Sequence, residues 1–90
     1  MRKFIAEIKT VLHEGILDAQ GKAIENSLHS LDFKHLSNVR IGKIITLNID
    51  AECLESAYQM VDTASKKLLA NTIVEDYTII INELNQWHHN

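Results

Sequence analysis

The chain lacks proline altogether and contains few of the other residues that restrain small proteins. It has 90 residues, one cysteine and three glycines. A single cysteine excludes an intrachain disulfide and is typical of a reducing compartment. Without proline, turns are marked only by glycine and by short polar residues, so element boundaries are less sharply defined. Ninety residues form one small domain, near the lower limit for an adequate core without disulfides or metal.

Long apolar runs and clustered positive charge are also missing. No apolar run approaches the roughly 18 residues that a membrane span requires, and the N-terminus enters an alternating pattern without a signal-peptide core. The net charge is −3, and the nine basic residues are scattered apart from two adjacent pairs, Arg2 with Lys3 and Lys66 with Lys67. Nucleic-acid binders usually gather such residues on one face. We therefore expect a cytoplasmic protein that binds neither membrane nor nucleic acid.

Recognisable catalytic and metal-binding patterns are absent as well. The five histidines and Cys53 show neither C-x-x-C nor H-x-x-x-H spacing. Cys53 has no evident base nearby in sequence, which favours a structural role. The serines of residues 27–30 lie on a predicted helix without a nucleophile elbow, and the glycines are too dispersed for a phosphate loop. We expect no catalytic, cofactor-binding or metal-binding residues in this chain.

Three segments carry strand patterns. Residues 3–12 alternate, with Phe4, Ala6, Ile8, Thr10 and Leu12 on one face. A second run covers 39–49 and is interrupted by Gly42, which predicts a bulge or bend. The last strand covers 74–82, with Tyr77, Ile79 and Ile81 sharing a face.

The first helix is predicted over 18–31. Gly15 marks the preceding turn, and Asp18 is a good N-cap. Gly21 weakens the helix, which predicts that another group approaches closely there. The predicted buried stripe consists of Ile24, Leu28 and Leu31. In the following loop, 32–38, we expect the two large apolar residues to lie under the fold: Phe33 and Leu36.

The second helix is predicted over 51–70, capped by Asp50 and ended by Asn71 in a left-handed conformation. Lys66 and Lys67 fall in its last turn, where cations favour the helix dipole. Its apolar residues recur every three or four positions and predict one buried stripe: Leu54, Ala57, Val61, Ala64 and Leu68.

The element order is strand, helix, strand (or two strands around Gly42), helix, strand. This order predicts an α+β, ferredoxin-like fold with two helices on one face of a three- or four-stranded antiparallel sheet. We expect a single domain over 1–83 and a tail over 84–90. The role of the tail, with Trp87, His88 and His89, is open.

Four aliphatic residues fall on the sheet face away from the helices: Ile5, Val11, Ile44 and Ile80. A contiguous apolar patch of this kind often marks an interface. We therefore expect a homodimer or homotetramer. The alternative is that the four are scattered among the polar residues between them.

Three segments together resemble the PurS family, small subunits of formylglycinamidine ribonucleotide synthase. Residues 17–21 (L-D-A-Q-G) are similar to the family's L-D-P-Q-G, and residues 39–43 (V-R-I-G-K) to its V-R-x-G-K. Residues 67–71 (K-L-L-A-N) and 74–77 (V-E-D-Y) are similar to its K-L-L-A-N-P-V-I-E-D-Y. The departures are lost prolines, at Glu14, Ala19 and Thr72. Proline at the first helical turn only preorganises φ, so the fold should tolerate its loss.

The resemblance implies a non-catalytic subunit of a glutamine-dependent, ATP-consuming ligase complex of purine biosynthesis. It implies that the chain binds copies of itself, a glutaminase subunit and a large synthetase subunit. ATP, magnesium and glutamine would then be used by the complex, with no site for them in this chain.

Two alternatives come from other classes. An acylphosphatase-like enzyme has a similar element order but needs an arginine in the loop after the first strand, where residues 13–15 read H-E-G. A regulatory module that binds an amino acid also pairs through small α+β sheets, although such modules are usually fused to an enzyme.

Overall fold

A computed structural model describes residues 1–84 and contains three strands, two α-helices and one π-helical turn. The predicted α+β order is confirmed, with three strands. Trp87, His88 and His89 lie outside the described residues. No helix in residues 1–84 is long and apolar enough to cross a membrane. The elements are β1 (Arg2–Leu12), α1 (Ala19–Ser30), β2 (Gly42–Ala51), α2 (Leu54–Ala64), the π-turn (Ser65–Leu69) and β3 (Glu75–Glu83).

The sheet has the order β2-β1-β3, with both pairs antiparallel. The central strand β1 alternates strictly: Phe4, Ala6, Ile8 and Thr10 are buried, and the residues between them are exposed. This is the alternation predicted from the sequence. Because side chains in a strand point to opposite faces in turn, one face of the sheet forms the core side and the other faces outward.

The core lies between the sheet and α2. Ala57 and Val61 of α2 pack against Phe4, Ala6 and Ile8 of β1. Residues from the other two strands and the π-turn complete the cluster: Ile45, Leu47, Ile49, Ala51, Leu69, Tyr77, Ile79 and Ile81.

β2 begins at Gly42, whereas the sequence suggested a run from Val39 with Gly42 as an interruption. Gly42 pairs in register with Val11, so it opens the strand without a bulge. The preceding N–H groups are bound by side chains of the α1 region. Val39 N donates to Glu25 Oε1 at 3.1 Å, and Ile41 N donates to Asp18 Oδ2 at 2.6 Å. These residues therefore do not join the ladder.

α2 begins later than predicted, at Leu54, with Cys53 as its N-cap. β2 continues to Ala51, which pairs with Arg2, so Asp50 belongs to the strand. Its carboxylate forms an ion pair with Lys3 at 3.0 Å. The prediction of an Asp50 cap is therefore wrong, because strand pairing extends through the residue that looked like a cap.

The end of the second helix is a π-turn, which changes the buried stripe. Ala70 N donates to Ser65 O at 2.9 Å, an i→i+5 bond. The extra residue rotates the subsequent side chains by about 100°. As a result Leu69 packs on the core, while Leu68 is 82% exposed. The predicted burial of Leu68 is wrong for this reason, and Leu54, also assigned to the stripe, is half exposed.

The left-handed stop predicted at Asn71 is also wrong. The non-glycine residues with positive φ in residues 1–84 are Asp32 (73°) and Asn38 (56°), which both lie within the loop between α1 and β2. The helical segment ends instead because Ala70 is extended, with φ −117° and ψ 140°.

α1 departs most from prediction because it does not join the core. Its one buried residue is Gly21. Of the predicted stripe, Leu28 is half-buried, Ile24 is 42% exposed and Leu31 is 67% exposed. The following loop is also exposed at its large apolar residues, Phe33 and Leu36, contrary to expectation.

The chain is extended for its size. Its radius of gyration is 17.2 Å and its extents are 52 × 35 × 15 Å, whereas a compact chain of this length has a radius of about 12 Å. Its accessible surface is 6896 Å², against about 5,300 Å² for a typical monomer of this mass. We call residues 17–38, which include α1 and the exposed loop, the arm.

Candidate functional site

The junction between the arm and the sheet is organised by Asp18. Its Oδ1 accepts the N–H of Gly21 at 2.9 Å, which is the N-cap bond expected from the sequence. Its Oδ2 accepts the N–H of Ile41 at 2.6 Å. These two backbone bonds, the one from Ile41 foremost, hold the pKa of Asp18 below its usual range. One carboxylate therefore both caps α1 and fixes the segment that enters β2.

Gly21 allows a close approach within this chain. A β-carbon at this position would collide with the carbonyl oxygen of Val39. The neighbour is therefore the backbone of the segment before β2, and a larger residue would push the two apart. Gly15, with φ +87°, forms the turn that precedes α1, where a side chain would be strained.

Arg40 ties the other side of the junction to the end of β1. Its guanidinium donates to the carbonyl oxygens of Leu12 and His13, at 2.7 and 3.1 Å. With the Asp18 bonds, this holds the base of the arm to the sheet from two sides. The arm therefore projects from the sheet in a fixed direction.

The arm presents an apolar surface along α1 and its flanking loops, which we call the arm surface. The members are exposed or half-buried in residues 1–84: Leu17, Ile24, Leu28, Leu31, Phe33 and Leu36. The loop is held against the helix because His29 Nε2 lies 2.7 Å from Leu36 O. A stripe that a globular domain would bury against its own sheet is thus left open in the single chain.

The outer sheet face holds Ile5, Val11, Ile44 and Ile80, as the alternation predicts. Ile44 and Ile80 are 62% and 59% exposed, Ile5 is 36% exposed and Val11 is half-buried. The register separates them into two diagonal pairs, Ile44 with Val11 and Ile80 with Ile5.

Glu7 and Lys9 lie between these two pairs. Ile44 pairs with Lys9, and Ile80 pairs with Glu7. The outer sheet face is therefore a mixed polar and apolar surface, less continuous than the arm surface.

The candidate base His13 and the candidate nucleophile Cys53 lie near opposite ends of β1, because His13 follows Leu12 whereas Ala51, two residues before Cys53, pairs with Arg2. His13 Nδ1 lies 2.8 Å from Asp76 Oδ1. Cys53 Sγ lies 3.4 Å from Ser56 Oγ, and this hydrogen bond lowers the pKa of the thiol. Within residues 1–84 no group of three His, Cys, Asp or Glu side chains could hold a metal ion.

Comparison with known proteins identifies the family. The PurS family model, described as phosphoribosylformylglycinamidine (FGAM) synthase, matches residues 5–83. The FGAM synthase subunit PurS of Bacillus subtilis is 38% identical over 73 residues, covering 81% of this chain and 86% of that protein. The PurS subunit of Synechocystis is 39% identical over 77 residues, covering 86% of this chain and 77% of that protein.

Solved structures also match the fold of this chain. PurS of Methanocaldococcus jannaschii, 30% identical, matches with a TM-score of 0.81 over 91% of this chain and 99% of its own. A chain in the structure of PurLQS from Thermotoga maritima, 33% identical, matches with a TM-score of 0.82 over 93% of this chain and 100% of its own. Since both sequence and fold agree over nearly the whole described chain, this chain belongs to the PurS family of FGAM synthase subunits.

Proposed function

We propose that this chain is the non-catalytic small subunit of a glutamine-dependent FGAM synthase in purine biosynthesis. The observation that carries the proposal is its match over the full length of a chain in the Thermotoga maritima PurLQS structure. The chain would act in the cytoplasm with a glutaminase subunit and a large synthetase subunit. The assembled enzyme would transfer glutamine-derived ammonia to formylglycinamide ribonucleotide and consume ATP.

In this proposal the small subunit contributes surfaces for assembly. ATP, glutamine and magnesium would be bound by the partner subunits. His13 and Cys53 lie near opposite ends of β1, which supports this division of roles, since nucleophilic catalysis requires a base within hydrogen-bond reach of the nucleophile. The chain would couple the two partner active sites by holding those subunits in a fixed relation.

The same proposal includes self-association into a dimer or tetramer. The accessible surface of the chain is larger than that of a typical monomer of its mass, and a standard interface buries about 800 Å² on each partner. The arm surface is the stronger candidate because its six apolar residues follow one another along α1 and the segments on either side of it. The outer sheet face, with Ile5, Val11, Ile44 and Ile80, would add a second contact in a tetramer.

The energetics favour covering the arm surface. Burying an exposed aliphatic or aromatic side chain contributes roughly 1.5–3 kcal/mol. Several such residues on each copy are enough to offset the loss of translational and rotational freedom on association, which costs about 4–15 kcal/mol. A second copy would thus supply the packing that the sheet of the same chain does not give to α1.

Reconstitution tests the proposal directly. The purified chain alone should neither hydrolyse glutamine nor consume ATP. Mixed with the glutaminase and synthetase subunits, it should restore glutamine-dependent FGAM formation, and Cys53→Ala should restore it equally well. Failure of the wild-type chain to bind either subunit, or glutaminase activity in the isolated chain, would overturn the proposal.

A further inference from the structure

The π-turn and the turn after it carry two unusually exposed apolar residues. Leu68 is 82% and Ile73 is 85% exposed. Lys66 and Lys67 border Leu68 on the chain. We call these four residues the turn surface. It lies outside both the arm surface and the outer sheet face.

Leu68 is exposed because of the π-turn. A regular α-helix would have continued the spacing of Ala57, Val61 and Ala64 and would have turned Leu68 toward the sheet. The i→i+5 bond to Ser65 O turns it outward and brings Leu69 into the core instead. π-turns of this kind are less favourable than α-helix and occur frequently at functional positions.

Ile73 is held on a rigid turn. Asn71 N donates to Glu75 Oε1 at 2.8 Å, and Ile73 N donates to Asn71 Oδ1 at 3.3 Å. The N–H groups of Val74 and Glu75 both donate to Asn71 O, at 3.0 and 2.7 Å. Binding through Ile73 would therefore cost little ordering of the backbone.

His13 fastens the same turn to the end of β1. Its N–H donates to Val74 O at 2.8 Å, Nδ1 lies 2.8 Å from Asp76 Oδ1, and Nε2 lies 3.3 Å from Thr72 O. The turn surface is thus connected to the sheet on one side and to α2 on the other.

The two lysines of the turn surface indicate the kind of partner that would bind there. Lys66 is neutralised in part by Asp62, at 3.2 Å, whereas Lys67 forms no ion pair within residues 1–84. A two-fold contact of the turn surface with its own copy would place these lysines opposite lysines, which is unfavourable. A different protein with an apolar pocket edged by carboxylates complements both features.

We propose that the turn surface docks a non-identical subunit of the synthase, with Leu68 and Ile73 in an apolar pocket and Lys67 facing carboxylates. This inference rests on the proposed function. It assigns partner binding to the turn surface and leaves self-association to the arm surface.

The test is titration of the chain with each partner subunit separately, by calorimetry or biolayer interferometry. The double variant Leu68→Ser/Ile73→Ser should weaken binding of one partner by about tenfold or more, as loss of two anchor residues does. Its melting temperature and oligomeric state should not change, since both side chains are exposed. The matched control is Tyr58→Ser/Met60→Ser on α2, where both side chains are about half exposed and lie outside the arm surface, the outer sheet face and the turn surface; this variant should bind both partners as the wild type does.

A charge reversal, Lys67→Glu, should weaken the same complex and reduce the dependence of its affinity on salt. Unchanged affinity of the double variant for both partners would overturn the inference, and so would loss of self-association with partner binding intact. If the wild-type chain binds neither subunit, the proposed function itself has failed, which is a different result.

Discussion

The two helices have similar apolar stripes and different surroundings. α2 buries Ala57 and Val61 against the sheet of its own chain. α1 buries only Gly21, a residue without a side chain, and leaves Ile24 and its C-cap residue Leu31 exposed. An amphipathic pattern therefore does not determine whether the domain of the same chain buries the apolar face of a helix. α2 builds the domain, and α1 is available for association.

The largest expected difference in stability is between two matched substitutions, one on each helix. Val61→Asp places a charge without a partner in the core and should destabilise the chain by at least about 3 kcal/mol, enough to prevent folding. Ile24→Asp on α1 should keep the circular dichroism spectrum of the folded chain and lower only the oligomeric state. Retained folding of Val61→Asp, or unfolding of Ile24→Asp, would break the comparison.

A second substitution examines the close contact that α1 makes within its own chain. Gly21→Leu should drive a side chain into Val39 O and lower the free energy of unfolding by roughly 1–3 kcal/mol. Ala23→Leu, at an exposed position of the same helix, is the control and should change stability little. Urea unfolding of both variants gives the difference. Equal stability of the two would show that the junction is not close-packed.

A third pair of substitutions tests which leucine of the π-turn packs on the core. Leu69→Ala should cost about 2 kcal/mol because Leu69 packs on the core. Leu68→Ala, one residue earlier, should change stability by less than about 0.5 kcal/mol because its side chain is exposed. The reverse order would mean that the segment is a regular α-helix with Leu68 in the stripe.

The smallest effect concerns the acid sensitivity of the arm junction. The hydrogen bonds from Ile41 and Gly21 hold the pKa of Asp18 below that of an unfolded chain. Its stabilisation is therefore complete above the unfolded carboxyl pKa of about 3.9 and is lost as the pH falls through the lower folded value.

Asp18→Asn, which does not titrate, should lose less stability than the wild type between neutral and acid pH. Urea titrations across that range measure the two slopes. Part of the acid slope should remain in the variant, because the pKa values of Asp62 and Glu83 are lowered too, by hydrogen bonds from Tyr77 and Arg2 respectively. Identical slopes for variant and wild type would show that Asp18 contributes nothing.

Strands were the part of the fold that local pattern could predict. The alternation in β1 and β3 follows from side-chain geometry within each strand, so the buried sides of Phe4 and Tyr77 could be read directly. The Asp18 cap was likewise a local signal. The family resemblance was carried by short segments whose order and spacing are visible in sequence.

The errors arose where the outcome depends on distant partners. Asp50 was predicted to cap a helix, but it pairs with Lys3 and belongs to β2. Leu68 has the spacing of the buried stripe, but one extra residue in the π-turn rotates its side chain outward. The apolar spacing of α1 did not predict that the helix would be exposed. One available signal was the continuation of large apolar residues past its end, at Phe33 and Leu36, since one small domain cannot bury so many.

The central claim is that α1 is covered by a second copy of the chain, and sedimentation equilibrium tests it most directly. At micromolar concentration the wild type should have at least twice the 10.2 kDa mass of one chain. Ile24→Asp/Leu31→Asp should shift it to the monomer, and Ile44→Asp on the outer sheet face should have a smaller effect. A wild-type chain that is monomeric at high micromolar concentration would contradict the account.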